Sequence, residues 1–140
     1  MKAKTFFIGF FAVVALLGAA SVYLAVTVDP AQKSLTAVAA PDTKYKAVKI
    51  TLSGEGRPPF CIDGIAIILG VYPDDFAERD KAYLVYSGPC ASDRNAWPKI
   101  EWLSNTALQI TYAKDPAAAK SPAVKDLDVT KTVHVTFVAR

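Results

Sequence analysis

The chain has 140 residues, of which 52% are hydrophobic and 21% charged, and its formal net charge at pH 7 is +3. Apart from two lysines near the amino terminus, basic and acidic residues nearly balance, so the concentrated basic face that nucleic-acid binding needs is absent from the sequence. A chain of this length has room for one small domain.

A long apolar run near the amino terminus predicts a membrane anchor. Thr5–Val28 is uncharged and follows Lys2 and Lys4. At a rise of ~1.5 Å per residue, such a helix crosses a ~30 Å hydrocarbon core, so we expect a signal anchor over residues 1–28. The positive-inside tendency keeps its start in the cytoplasm and exports the rest, most simply from a bacterial inner membrane into the periplasm. The alternative is a cleaved signal peptide, since Leu17–Ser21 offers small residues.

The remaining chain divides into a tether and one domain. Residues 29–43 are rich in Ala, Pro, Ser and Thr and show no sustained period, which predicts a tether. Residues 44–140 alternate polar and apolar positions between Gly- and Pro-containing loops. This pattern favours a mainly β domain of about six to eight mostly antiparallel strands, either a small sandwich or a curled sheet.

Five segments of this domain read as strands or hairpins. The most apolar of them is expected at the centre of the core, either as one strand or as two strands broken at Gly64 or Gly70. The last alternates along its length and is expected to pair within the sheet. The segments are residues 44–52, 60–72, 82–86, 100–112 as a tight hairpin, and 127–139.

Two cysteines, Cys61 and Cys90, lie too far apart for a CxxC redox centre or a zinc knuckle. In an oxidising compartment they predict one structural disulfide, which the chain-entropy model values at about 3–4 kcal/mol for a loop of this size. The competing interpretation is a pair of reduced, buried cysteines.

The acidic stretch Pro73–Lys81 contains four carboxylates within seven residues. Their spacing does not match the EF-hand loop, which alternates its ligands around a central Gly and ends in Glu. We expect a short helix with Asp74 as its cap, or a solvated loop, and no metal ion or cofactor.

Aromatic residues are the main candidates for binding. Trp97 precedes Pro98 in a loop and is expected to be exposed, while Tyr83 and Tyr86 are candidates for the same stacking surface. Trp102 lies in an alternating segment and is expected to seal one end of the core.

The sequence indicates no catalytic constellation. The single histidine, His134, has no partner resembling that of an activated nucleophile, and we expect it to face solvent. A hydrolase would need at least two carboxylates in one cleft. The available set is Asp63, Asp74, Asp75 and Glu101.

Two segments carry a resemblance. Residues 41–48 and 100–112 resemble small uncharacterised bacterial exported or membrane-anchored proteins, which pair a "PDGKY-x-A-V" strand with a later "W-x-s-x-x-x-L-x-I-x-Y" hairpin. Thr43 stands where that pattern has Gly. The resemblance implies export and a β-rich domain, and it brings no catalytic residues.

These features favour a non-enzymatic accessory protein of the cell envelope that binds a protein partner through an exposed loop or sheet edge. The alternative is a periplasmic module that binds a small ligand or glycan on its aromatic residues.

Overall fold

The computed structural model describes residues 12–18, 31–114 and 120–140. From residue 31 onward, the described chain forms eight strands and two short 3₁₀ helices, so the domain is mainly β, as predicted. The strands are β1 (Gln32–Ala39), β2 (Tyr45–Gly54), β3 (Phe60–Leu69), β4 (Leu84–Pro89), β5 (Lys99–Ser104), β6 (Ala107–Tyr112), β7 (Ala123–Val124) and β8 (His134–Ala139). The 3₁₀ helices, Asp74–Glu78 and Lys81–Tyr83, lie between β3 and β4.

The predicted anchor falls largely outside the described residues. Residues 12–18, which belong to it, are α-helical and exposed. Among the described residues, no helix is long and apolar enough to span a membrane. The anchor and its cleaved alternative therefore remain predictions.

The strands form two sheets. The large sheet has the order β1-β2-β3-β4-β7 and is antiparallel throughout. The small sheet has the order β5-β6-β8, in which β5 and β6 form the predicted hairpin and β8 runs parallel to β6. The antiparallel expectation therefore holds for every pairing of these strands except the last.

The core lies between the two sheets, which makes the domain a sandwich. Tyr45 and Ile65 of the large sheet belong to the same buried cluster as Leu108 and Ile110 of the small one. These side chains alternate along their strands with residues of the opposite face, as the two-residue period of a strand requires. The central strand β3 is not broken at Gly64 and ends just before Gly70.

A second buried cluster covers part of the outer face of the large sheet. Val48, Ile50 and Ile68 pack there beneath Ala77 and Phe76 of the first 3₁₀ helix. The acidic stretch therefore forms a short helix, as predicted, but its cap is Pro73, without a side-chain hydrogen bond, and not Asp74. Asp74 instead forms an ion pair with Lys46 at 2.6 Å.

The prediction of a tether over residues 29–43 is wrong for its middle part. Gln32–Ala39 forms β1, which pairs with β2 over its whole length. The residues of β1 are small or polar and alternate weakly, so the ladder to β2 determines the strand more than its own side chains do.

The last strand is shorter than predicted and begins only at His134. The Asp128 carboxylate accepts hydrogen bonds from the backbone N–H groups of Thr130, Thr132 and Val133, which folds residues 128–133 into a turn. Lys131 adopts φ 58° within this turn. Val129, which lies within the predicted strand, is consequently exposed.

The turn between β1 and β2 is held by an unusual backbone conformation. Thr43 adopts φ 61°, in the left-handed region that favours glycine. Its carbonyl lies against Gly70, where an added Cβ would meet Thr43 O, and Gly70 N–H donates to Lys44 O at 2.8 Å. The end of β3 is thereby packed tightly against this turn.

Candidate binding surfaces

The loop between β4 and β5, residues 91–98, separates two concave surfaces. Hydrogen bonds within the loop and from β2 hold it. Asp93 Oδ1 accepts from the N–H groups of Asn95 and Ala96, both at 3.2 Å. From the inner face of β2, the Lys49 ammonium donates to Arg94 O at 3.0 Å and to Trp97 O at 2.9 Å. A cis peptide bond joins Trp97 to the buried Pro98. The four hydrogen bonds fix the loop in place.

One of the two surfaces, the aromatic groove, is a cavity of about 830 Å³ on one side of this loop. Two of the three predicted binding residues, Trp97 and Tyr86, line it together with Tyr112. The centroids of the Tyr86 and Tyr112 rings are 5.7 Å apart, and the two rings are tilted by 44°. Trp97 is half-buried, whereas Tyr86 is only 4% exposed, so Trp97 presents more of its surface.

Burial, with smaller effects from Asp63 and Tyr112, raises the pKa of Tyr86 to about 12. The hydroxyl of Tyr86 therefore stays protonated at neutral pH and remains able to donate a hydrogen bond.

The third predicted residue, Tyr83, is not part of this groove. It lies in the second 3₁₀ helix and packs against Phe76 with ring centroids 5.4 Å apart. Phe76 covers the outer face of the large sheet. Tyr83 therefore contributes to the outer cluster and is separated from Trp97 and Tyr86 by the sheet.

The other surface, the polar cleft, is a cavity of about 540 Å³ on the opposite side of the loop. It opens between β1 and β2 of the large sheet and the start of β5. Ser34, Thr36, Thr51 and Ser53 line it with their inner-face positions, and Lys49, Arg94 and Lys99 supply positive charge. This is the surface that sequence reasoning missed, because it is built partly from the segment interpreted as a tether.

Contacts between the sheet edges close one end of the polar cleft. Trp102 Nε1 donates to Val38 O at 2.9 Å, and the Trp102 side chain packs against the core. The prediction that Trp102 seals an end of the core is thereby confirmed. At the same end, Asp42 N–H donates to Asn105 Oδ1 at 3.0 Å.

Asp63 lies on β3 behind the lining of the cleft. It is fully buried, and its Oδ1 accepts from Thr51 Oγ1. No described residue bonds to its other carboxylate oxygen. The three remaining candidate carboxylates do not join it. Asp74 lies on the outer side of the large sheet with its Lys46 partner, Asp75 is exposed in the same 3₁₀ helix, and Glu101 is exposed on β5. No described cluster of His, Cys, Asp or Glu has the arrangement of a metal site.

The outer edge of β1 is a third candidate surface. Ala40 N–H donates to Tyr45 O. In an antiparallel ladder every second residue of a strand directs its N–H and C=O groups to the same neighbour, so the even-numbered residues of β1 bond to β2. No described strand pairs with the other side of β1. The backbone groups that point away from β2 belong to Lys33, Leu35, Ala37 and Ala39.

An exposed apolar patch adjoins this edge on the outer face of the large sheet. Leu52 is 38% exposed, and Phe60 and Ile62 are each 46% exposed. Leu52 pairs with Ile62 on one side and with Lys33 of β1 on the other. The patch is therefore continuous with β1.

The predicted disulfide is present. Cys61 on β3 and Cys90 after β4 are bonded, with their Cα atoms 5.4 Å apart. Cys90 N–H also donates to Cys61 O, so the bond continues the β3–β4 pairing. It ties the start of the 91–98 loop to the large sheet.

Comparisons with protein-family models, with curated proteins and with solved structures yield no match to this chain.

Proposed function

We propose that this protein is a non-enzymatic interaction module that holds a protein partner by strand addition at β1. The observation that supports this most strongly is the row of outward backbone groups on β1, which no described strand occupies. An extended segment of a partner satisfies such groups by continuing the sheet, and side-chain contacts then select the partner.

Most of the usual protections of an edge strand are missing from β1. Its eight residues contain no proline, and its register with β2 shows no bulge. The one lysine on it, Lys33, directs its ammonium to Glu78 at 2.8 Å. The edge is thus long and regular, as strand addition requires.

The apolar patch supports a protein partner over a small molecule. Leu52, Phe60 and Ile62 expose neighbouring apolar surface beside β1, and such patches on soluble domains are typical of protein interfaces. A partner segment paired with β1 is able to cover them with the residues that flank its strand.

We place this module on the periplasmic side of a bacterial inner membrane, attached through the amino-terminal anchor. The apolar run after Lys2 and Lys4 supports the anchor, and the disulfide suits an oxidising compartment. Signal cleavage and release into the periplasm is the alternative.

The test is co-purification of partners with full-length protein extracted from its native membrane after crosslinking. Ala37→Pro removes one outward N–H without touching the bonds to β2, so we expect recovery of the dominant partner to fall about tenfold or more. Ala37→Val keeps the N–H and should retain the partner.

Ala39→Pro serves as a second edge variant, and thermal unfolding of each variant establishes that it is folded. Undiminished recovery of the partner with both folded proline variants would refute strand addition at β1.

A second candidate function is the binding of a neutral glycan in the aromatic groove, because Trp97 and Tyr86 line the same cavity. Titration with neutral oligosaccharides should give saturable binding that Trp97→Ala reduces about tenfold, as expected for the loss of a stacking indole. The same titration of Tyr83→Ala is the control, since Tyr83 lies on the other face. Absence of binding by the wild-type protein would exclude this candidate.

A further inference from the structure

The polar cleft breaks the rule that facing sheets of a sandwich bury apolar side chains. At the end near Tyr45, the inner face of the large sheet is apolar. At the other end, β1 and β2 place Ser34 opposite Thr51, and Gln32 opposite Ser53, with all four lining the cleft. Four polar side chains thus occupy positions where a sandwich would otherwise continue its core.

The lining of the cleft is positively charged. Lys49, Arg94 and Lys99 contribute to it, and no Asp or Glu does. Lys33 also borders the cleft, but its ammonium is paired with Glu78.

The three lining cations have unused hydrogen-bonding capacity. Lys49 has three ammonium protons, and two of them reach the carbonyls of the 91–98 loop. Arg94 takes part in none of the ion pairs found among the described residues. Lys99 has only a long contact of 3.7 Å to Glu101, and its side chain is 64% exposed. The acidic Asp63 is buried behind Thr51 and does not line the cleft.

We propose that the polar cleft binds a small acidic sugar, meaning a monosaccharide or disaccharide that bears a carboxylate or a phosphate. The cations receive the anionic group through charge-assisted hydrogen bonds. The hydroxyls of Ser34, Thr36 and Ser53 both donate and accept, so they pair with the hydroxyls of the sugar. The Thr51 hydroxyl donates its proton to Asp63 and therefore acts towards the sugar only as an acceptor. Val38 and Ile100 give the closed end of the cleft an apolar wall for the C–H face of the ring. A volume of about 540 Å³ accommodates a ligand of this size.

This site is independent of strand addition at β1, because the cleft uses inner-face side chains and the edge uses outward backbone groups. Failure of strand addition at β1 therefore leaves sugar binding in the polar cleft measurable, and the reverse also holds.

Calorimetric titration of the full-length protein in a non-ionic detergent tests the proposal. The probes are glucuronate, glucose 6-phosphate, glucose and inorganic phosphate. We expect at least one of the two acidic sugars to bind about tenfold or more tightly than either glucose or inorganic phosphate. The acidic sugar that binds identifies carboxylate or phosphate as the recognised group, and raised salt should weaken its binding.

Arg94→Gln and Lys99→Gln should each weaken binding of that sugar about tenfold. The matched controls are Arg57→Gln and Lys81→Gln, which change exposed residues outside the lining and should leave binding intact. Failure of both acidic sugars to bind, equal binding of glucose or inorganic phosphate, or an equal effect of the control substitutions would overturn the proposal.

Discussion

At the scale of single residues, Thr43 is the clearest local conflict between sequence and backbone. Its φ of 61° forces a β-branched side chain into the left-handed region, at the position where the resembling sequences have Gly. Thr43→Gly should therefore raise the free energy of unfolding by roughly 1 kcal/mol. Chemical denaturation measures this. Thr106→Gly, at a turn residue without a positive φ, is the control and should give no gain.

Asp128 gives a prediction about pH. Burial raises the pKa of this carboxyl, but hydrogen bonds from the Thr130 side chain and from three backbone N–H groups outweigh burial, so the pKa lies below its ordinary value. A lowered folded-state pKa contributes stability above the unfolded pKa of about 4, and this contribution is lost as the pH falls through the folded value.

Asp128→Asn should consequently lower the free energy of unfolding at pH 7 by roughly 1–3 kcal/mol and flatten its decline below about pH 4. Denaturation curves at several pH values measure both effects. Asp126→Asn changes an exposed neighbour and is the control. An unchanged pH profile in Asp128→Asn would show that this turn does not depend on the carboxylate.

At the scale of elements, the disulfide was predictable and β1 was not. Two cysteines in a chain that is predicted to be exported leave few alternatives, whereas Gln32–Ala39 contains small and polar residues with little strand preference of their own. The strand exists because β2, which follows after a short turn, pairs with it along its whole length. The side chains of β1 alone do not predict that pairing. The polar cleft, which β1 helps to build, was missed for the same reason.

The C-terminal strand shows the opposite error. Its alternation predicted one strand over residues 127–139. The Asp128 carboxylate instead accepts hydrogen bonds from backbone N–H groups that strand pairing would need, so the chain forms a turn and the strand begins at His134. Side chain to backbone bonds of this kind compete with strand pairing. The parallel pairing of β8 with β6 also depends on tertiary contacts that the pattern does not encode.

The disulfide itself gives a prediction for the β3–β4 pair. Replacing both Cys61 and Cys90 by Ala should lower the free energy of unfolding by about 3–4 kcal/mol on the chain-entropy model. Chemical denaturation with and without reductant measures this. Reductant should destabilise the wild-type protein by a similar amount and leave the double variant unchanged. Equal stability of both proteins without reductant would contradict a structural role.

At the scale of the whole molecule, the sandwich is apolar at one end and polar at the other. The predicted aromatic residues are divided between two sides of the large sheet: Trp97 and Tyr86 line one groove beside the 91–98 loop, whereas Tyr83 packs on the outer face. Sequence reasoning identified these residue types as candidates but could not assign them to faces, because that assignment depends on strand order and on the 3₁₀ helices.

No described strand pairs with the outer edge of β1, and amide hydrogen exchange of the full-length protein measures most directly whether this edge is open. The even-numbered residues of β1 should be protected, since their N–H groups bond to β2. Their odd-numbered neighbours should exchange at close to unprotected rates in the isolated protein and become protected in the crosslinked complex. Equal protection of both sets in the isolated protein would mean that the edge is already occupied, which would contradict the account.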